Sequence, residues 1–266
     1  MHKLVAFIRR DFLVAASYRT AMLMSSIGLL VAIVPVYFIA GALQPVAADA
    51  IRNEGGDFFA FLIAGMATFQ FVSTAIGTVP SALGSGLRTG TFEFLLTTPT
   101  RVPVILGGML GYPFLWTVLR STLLIGAAAF LGAQFGLTRL ASAVVIWALI
   151  VLAYLPFGLL TCALILVART PGPIPTAVLA ASTFLGGVYY PTHVIPSWLG
   201  DVSAVVPLTY GLRALRRVII DGRALAEVWS DLEILLLLTA LLMATAAVVV
   251  TWAFRYARRA GSLGQY

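Results

Sequence analysis

Charge is scarce in this chain of 266 residues, which carries 17 Lys and Arg and 10 Asp and Glu against 61% hydrophobic residues. A soluble globular domain draws about a quarter of its residues from the charged set, so this composition excludes one and makes lipid the solvent of most of the chain. Lysine is scarcer still, since Lys3 is the only one. A P-loop needs a lysine within its glycine-rich turn to hold nucleotide phosphates, so the chain is no P-loop ATPase. The single cysteine, Cys162, lies in an apolar run and supports neither an intrachain disulfide nor a cysteine metal site. With two histidines, His2 and His193, near the ends of elements and no G-x-S-x-G elbow, nucleophilic hydrolysis has no base to work with, and no catalytic residue or metal site is expected. Ion-driven carriers and proton relays place Asp, Glu or His inside spans, whereas here no acidic residue lies in the interior of an apolar run.

What the chain does have is length in apolar runs. Spanning hydrocarbon takes roughly 20 helical residues, and continuous runs without alternation exclude a barrel. Six segments are predicted to span, at 21–43, 58–83, 103–132, 140–168, 174–190 and 232–254. No linker, repeat or low-complexity tract divides them, so 1–266 is predicted to be one all-α integral membrane domain. The first run is longer than a signal-peptide core and is predicted to be retained. The net charge of +7 would suit nucleic acid, but the basic residues sit at the ends of apolar runs instead of forming a stripe, so no nucleic-acid partner is expected.

Arginines near the run ends set the orientation. With six spans, Lys3, Arg9, Arg10, Arg19, Arg88, Arg101, Arg169, Arg255, Arg258 and Arg259 fall on one side, which predicts both termini in the cytoplasm and a multi-pass protein of the cytoplasmic membrane. Arg213, Arg216, Arg217 and Arg223, between the last two runs, stand against this count. Residues 1–20 place Leu4, Val5, Phe7, Ile8 and Phe12 on one helical face and Lys3, Arg9 and Arg10 on the other, the pattern of a helix lying on the inner leaflet; a soluble stub is the plainer alternative.

The segment 84–101 contains Gly90-Thr-Phe-Glu-Phe-Leu-Leu-Thr-Thr-Pro99, and the chain later reads Tyr190-Pro-Thr-His-Val-Ile-Pro-Ser-Trp-Leu and Val206-Pro-Leu-Thr-Tyr-Gly-Leu-Arg. These strings resemble the cytoplasmic coupling segment and the outer re-entrant segment of ABC-2 type permeases, with Phe92 where leucine is usual. Arg9-Arg10-Asp11 before Tyr18-Arg19 is similar to that family's interfacial helix. The resemblance implies a half-transporter that pairs with a second permease subunit, identical or not, around a central pathway. It docks two cytoplasmic ABC ATPase subunits, which bind the ATP and Mg²⁺; this chain itself holds no cofactor and is no enzyme. The substrate expected for an exporter with few polar groups in its spans is an amphipathic drug, natural product or lipid. The alternatives are a cell-surface polysaccharide or, in a different class, a non-transport membrane scaffold.

On that resemblance Arg88, Phe92, Glu93, Leu95, Leu96 and Arg101 are candidates for ATPase coupling, with Glu93 as polar anchor; an ordinary amphipathic connector is the plainer reading. Arg120 is the only charge well inside a predicted span. Its candidate partners are carbonyls freed near Gly107, Gly108 and Pro113, the amide of Gln70, or an anionic group on lipid or substrate, and a structural role is favoured. The stretch 191–231 is predicted to form an outer re-entrant hairpin, with Leu208, Leu212, Leu215 and Ile219 packed on the bundle and Arg213, Arg216 and Arg217 snorkelling to outer-leaflet phosphates. Tyr190, Pro191, Pro207, Tyr210 and Gly211 are candidate outer-gate residues, the last three at a bend; an aromatic belt accounts for the tyrosines equally simply.

Overall fold

The computed structural model describes residues 19–54, 56–88, 102–136, 139–168, 170 and 172–259. Among them every regular element is helical: α1 (Arg19–Ala47), α2 (Phe58–Arg88), α3 (Val102–Phe130), α4 (Leu140–Ala168), α5 (Ile174–Leu185), α6 (Ser197–Ser203), α7 (Pro207–Ile219) and α8 (Trp229–Arg259), with short 3-10 turns at Arg52–Glu54, Thr192–Val194 and Leu225–Val228. The expected helix over 1–20 and the expected coupling segment after Arg88 lie largely outside the described residues.

Five helices, α1, α2, α3, α4 and α8, are long and apolar enough to cross a membrane. Their prolines, Pro35 and Pro45 in α1, Pro80 in α2, Pro113 in α3 and Pro156 in α4, sit inside continuous helix, which is tolerated where neighbouring groups re-satisfy the backbone. Threonine hydroxyls are handled the same way. Thr68, Thr161, Thr183 and Thr239 each donate to the carbonyl four residues back, so these hydroxyl protons are met in an apolar surrounding.

The expected fifth span is shorter than the sequence indicates. The run 174–190 is helical only over Ile174–Leu185, about 18 Å at the usual rise, against a hydrocarbon core of about 30 Å. The helix stops because Gly186 and Gly187 follow, and Gly187 adopts φ 72°, a left-handed conformation that favours glycine.

The centre of the fold is α2, the most buried of the long helices, in contact with α1, α3, α4, α5 and α7. A Cβ on Gly158 of α4 would lie 2.9 Å from the Ala75 carbonyl, so the bare glycine sets the close approach of α4 to α2. About eleven residues earlier along α4, Trp147 stacks on Phe71 at 5.4 Å between ring centroids and donates its indole N–H to Thr68 Oγ1 at 3.1 Å. At one end of the bundle the Asp57 carboxylate accepts from the N–H groups of Phe59 and Ala60, capping α2, and also from Gln134 N–H in the α3–α4 connection. Into this same end the pair α6–α7 is set. The Ile219 carbonyl accepts from Gly136 N–H at 2.6 Å, whereas Leu208, at the other end of α7, meets Tyr154 roughly fourteen residues, or about 21 Å, along α4. Between these levels Gly211 lies against Ile150, where an added Cβ would fall 2.5 Å from Cγ1. Thus α7 is inclined from the interior of the bundle to its rim.

Candidate functional site

The pair α6–α7 begins with Tyr190, whose hydroxyl donates to the Phe184 carbonyl while its ring meets Phe184 edge-on at 5.9 Å. Pro191 is buried and precedes the 3-10 turn Thr192–Val194. The turn between α6 and α7 falls at residues 204–206, ahead of Pro207, which opens α7 as a helix-starting proline. Tyr210 and Gly211 therefore lie within regular helix, not at the bend expected for them. Two hydroxyls pin the turn, because Ser203 donates to Leu185 O at 2.8 Å and Thr209 donates to Ser203 O at 2.8 Å. The Tyr210 hydroxyl donates to Ala204 O at 3.0 Å.

Leu208, Leu212, Leu215 and Ile219 are buried as the apolar face predicts. The three arginines, expected to snorkel, are each paired with a carboxylate of the chain. Arg213 and Arg217 both meet the buried carboxylate of Asp231 at the start of α8, at 3.5 and 3.1 Å. Arg216 is buried outright, with its side chain 3% exposed. Its Nη1 donates to Gly187 O at 2.9 Å and to Glu54 Oε2 at 3.3 Å, and its Nη2 donates to Val188 O at 2.9 Å and to Phe61 O at 3.3 Å. The guanidinium carbon lies 3.3 Å from the centroid of the Phe61 ring, over its negative face. Lipid phosphates are unnecessary as partners because the chain brings its own acceptors. Gly186 and Gly187 break α5 and leave carbonyls without helical partners, and the connection before α2 supplies Glu54.

The fit of this lock depends on Gly65. A Cβ there would stand 2.2 Å from Val188 O and 3.1 Å from Arg216 Nη2, so only glycine lets the broken end of α5 and the guanidinium lie against α2. Neither Gly65 nor Glu54 was singled out by the sequence. A signal was present for Arg216, which lies about 40° beyond Leu212 on the helical wheel, at the margin of the apolar face and well away from Arg217.

A second polar cluster lies between α2 and α3. Thr74 and Thr117 share a hydrogen bond of 2.7 Å, and one turn further along each helix stand Gln70 and Arg120. Arg120 Nε and Gln70 Nε2 are both buried without a hydrogen-bond partner. Of the acceptors the sequence suggested, Pro113 lies about 10 Å along the same helix, and Gly107 and Gly108 about 18 to 20 Å, too far for carbonyls freed there. An unpaired cation at such depth costs at least about 2.5 to 3.5 kcal/mol on insertion scales. On the other side of the α2–α3 seam Phe71, Phe114, Val118, Ser121, Trp147 and their neighbours line an apolar cavity of about 640 Å³.

Among the candidates for ATPase coupling, Arg88 ends α2, and Phe92, Glu93, Leu95, Leu96 and Arg101 lie outside the described residues. Among the described residues no group of His, Cys, Asp and Glu is placed to hold a metal ion.

The family model for ABC-2 type transporters matches residues 2–220, which takes in every helix from α1 to α7. The chain belongs to the ABC-2 type transporter family. No curated protein matches it. An ABC-2 permease is a multi-pass membrane protein and the transport subunit of its system, a role that implies partnership with ABC ATPase subunits. The match ends at Ile220, one residue past α7, so the Arg216 lock lies inside the family's region, and the Asp231 that pairs with Arg213 and Arg217 lies beyond it.

Proposed function

We propose that this ABC-2 permease is one half of an exporter that moves an amphipathic drug, natural product or lipid outward across the cytoplasmic membrane, driven by two separate ATPase subunits and completed by a second permease subunit. The observation that carries this reading is the coexistence, in one chain of that family, of five crossing helices with a polar-locked helical pair set into one end and no lysine other than Lys3 for a nucleotide site. Six crossings keep both termini cytoplasmic. In this reading α5 enters from the cytoplasmic side and stops part-way, and its broken end, with α6 and α7, completes the sixth passage as an outer re-entrant hairpin. Irregular backbone at that depth persists only when enclosed by protein, which is what Arg216 supplies to the carbonyls of Gly187 and Val188.

In the same reading α2 is the transmitting element. At one end it leads from Arg88 into the coupling segment that carries Phe92, Glu93, Leu95, Leu96 and Arg101, and near the other it holds Arg216 through Phe61 and Gly65. A tilt imposed by the ATPases at the first end reaches the hairpin, with Tyr190, Pro191, Pro207, Tyr210 and Gly211, through one rigid helix. Reconstitution with the ATPase of its system tests the whole. Vanadate-sensitive hydrolysis that rises on adding the permease, together with co-purification of the two, is the expected result. Absence of both from mildly solubilised membranes sinks the exporter reading.

A further inference from the structure

We propose that Gln70 and Arg120 form an intramembrane binding site for the anionic group, a phosphate or a carboxylate, of an amphipathic molecule; this rests on the exporter reading and names the headgroup chemistry of its ligand. The Thr74–Thr117 hydrogen bond fixes α2 against α3, and because these helices are antiparallel, Gln70 and Arg120 come to the same level one turn nearer the hairpin end. Both present nitrogen donors that are buried and lack an acceptor. Helix α1 brings no acceptor of opposite charge. Its Tyr37 meets Phe59 of α2 at 5.3 Å between ring centroids, so about eleven residues along both helices Ser26 stands at the level of Gln70, and its hydroxyl donates to Met22 O.

Among the described residues the charge of Arg120 therefore has no counter-charge. A neutral amide, whichever way Gln70 is turned, does not supply one. Among the described residues a second copy of the chain does not supply one either, because the carboxylates within the long helices, Asp231 and Glu233, fall in the first five residues of α8. Arg120 lies roughly ten residues, about 15 Å, from the end of α3 at Phe130, close to the middle of a hydrocarbon core. A ligand reaching it has to bring its charge inside the bundle, and a guanidinium with a neighbouring amide suits a multi-oxygen anion by forked, charge-assisted hydrogen bonds. The sequence alone favoured a structural role for Arg120; distance now removes the carbonyls that role required.

The test uses the full-length chain in phosphatidylcholine nanodiscs and radiolabelled dodecyl phosphate as probe. Saturable binding that dodecanoate competes and dodecanol does not is expected. Arg120→Gln should weaken it about 10- to 100-fold, the loss of a hydrogen-bonded charge, and Arg120→Lys and Gln70→Leu less. No saturable binding above empty nanodiscs, equal competition by dodecanol, or an Arg120→Gln protein that binds as wild type overturns the site. Should Arg120→Gln fail to insert, Arg120→Lys and Gln70→Leu decide, and wild-type affinity in both overturns it equally. Nanodiscs doped with phosphatidylglycerol separate the sources: loss of probe binding assigns the anion to a resident acidic lipid, and unchanged binding assigns it to a transported solute. Stimulation of the partner ATPase by dodecyl phosphate is measured separately. Binding without stimulation leaves the site standing and counts against the exporter reading, whereas stimulation without anion preference overturns the site alone.

Discussion

Replacing Arg216 by methionine keeps most of the side-chain volume and removes every polar contact of the lock. What remains is a Glu54 carboxylate whose side chain is 11% exposed, without its cation, and the carbonyls of Gly187 and Val188, which lie outside any helix and lose the donors that satisfied them. Phe61 also loses the cation over its ring. Breaking a buried ion pair by removing one partner costs about 3 to 5 kcal/mol, and the orphaned carbonyls are part of that sum. For a chain of this size the corresponding drop in thermal midpoint is about 6 to 20 °C. Thermal challenge of detergent-solubilised protein followed by size-exclusion chromatography reads this directly. Glu54→Gln retains an acceptor oxygen and should lose less, about 1 to 3 kcal/mol. The double variant Arg216→Met with Glu54→Leu should be more stable than Arg216→Met alone, because the stranded carboxylate is gone. The reasoning is refuted if Arg216→Met unfolds at the wild-type temperature, or if the two substitutions add without coupling.

Gly65→Ala forces a methyl to within 2.2 Å of the Val188 carbonyl and should cost about 1 to 3 kcal/mol, whereas Gly77→Ala in the same helix, with no atom within 4 Å of the new methyl, should leave the thermal midpoint in place. For orientation, Ala226→Cys, in the exposed turn before α8, should react with impermeant thiol reagents only from outside the cell, against a silent background because Cys162 is buried. Reaction from the cytoplasmic side alone would reverse the proposed topology. A cysteine at Ser203 should stay protected from both sides, since Ser203 is buried and hydrogen-bonded to Leu185. Glu93→Ala, measured at equal surface expression, should abolish transport without loss of insertion; unchanged transport removes Glu93 from the coupling role.

The long helices were legible because a bilayer imposes a single demand, about 20 apolar residues with the backbone satisfied internally. That demand predicted spans at 58–83 and 140–168, where α2 and α4 form, with α2 extending to Arg88. It misjudged 174–190 because hydropathy sees Val188, Tyr189 and Tyr190 as more of the same apolar run. The chain geometry instead turns at Gly187, where φ is 72°. A glycine pair inside an apolar run has two readings, tolerated helix or helix end, and the deciding term is tertiary: whether anything waits to take the freed carbonyls. Arg216 waits, roughly thirty residues further on, and no local window contains both partners.

The same separation explains why the lock was not foreseen. Glu54, Phe61, Gly65, Gly187, Val188 and Arg216 come from four stretches of sequence, and taken singly each has an ordinary reading: a loop carboxylate, a span phenylalanine, a span glycine, a helix stop, a valine of an apolar run, an arginine at the margin of an apolar face. The sequence points this arginine at lipid phosphate because the rule that a long cation at a membrane boundary snorkels assumes that water and headgroups are the only acceptors on offer. In this fold a broken helix and a loop carboxylate compete with them and win, since they are already oriented and the guanidinium can satisfy four acceptors at once. The pairing of Arg213 and Arg217 with Asp231 follows the same preference one turn away. Arg120 is the counter-case, since its Nε is buried and no acceptor meets it among the described residues. Among the described residues, Arg216 meets four acceptors of the chain, one of them a carboxylate, through its two Nη groups, whereas Arg120 meets none, and that difference separates a cation that holds the fold together from one open to a group from outside.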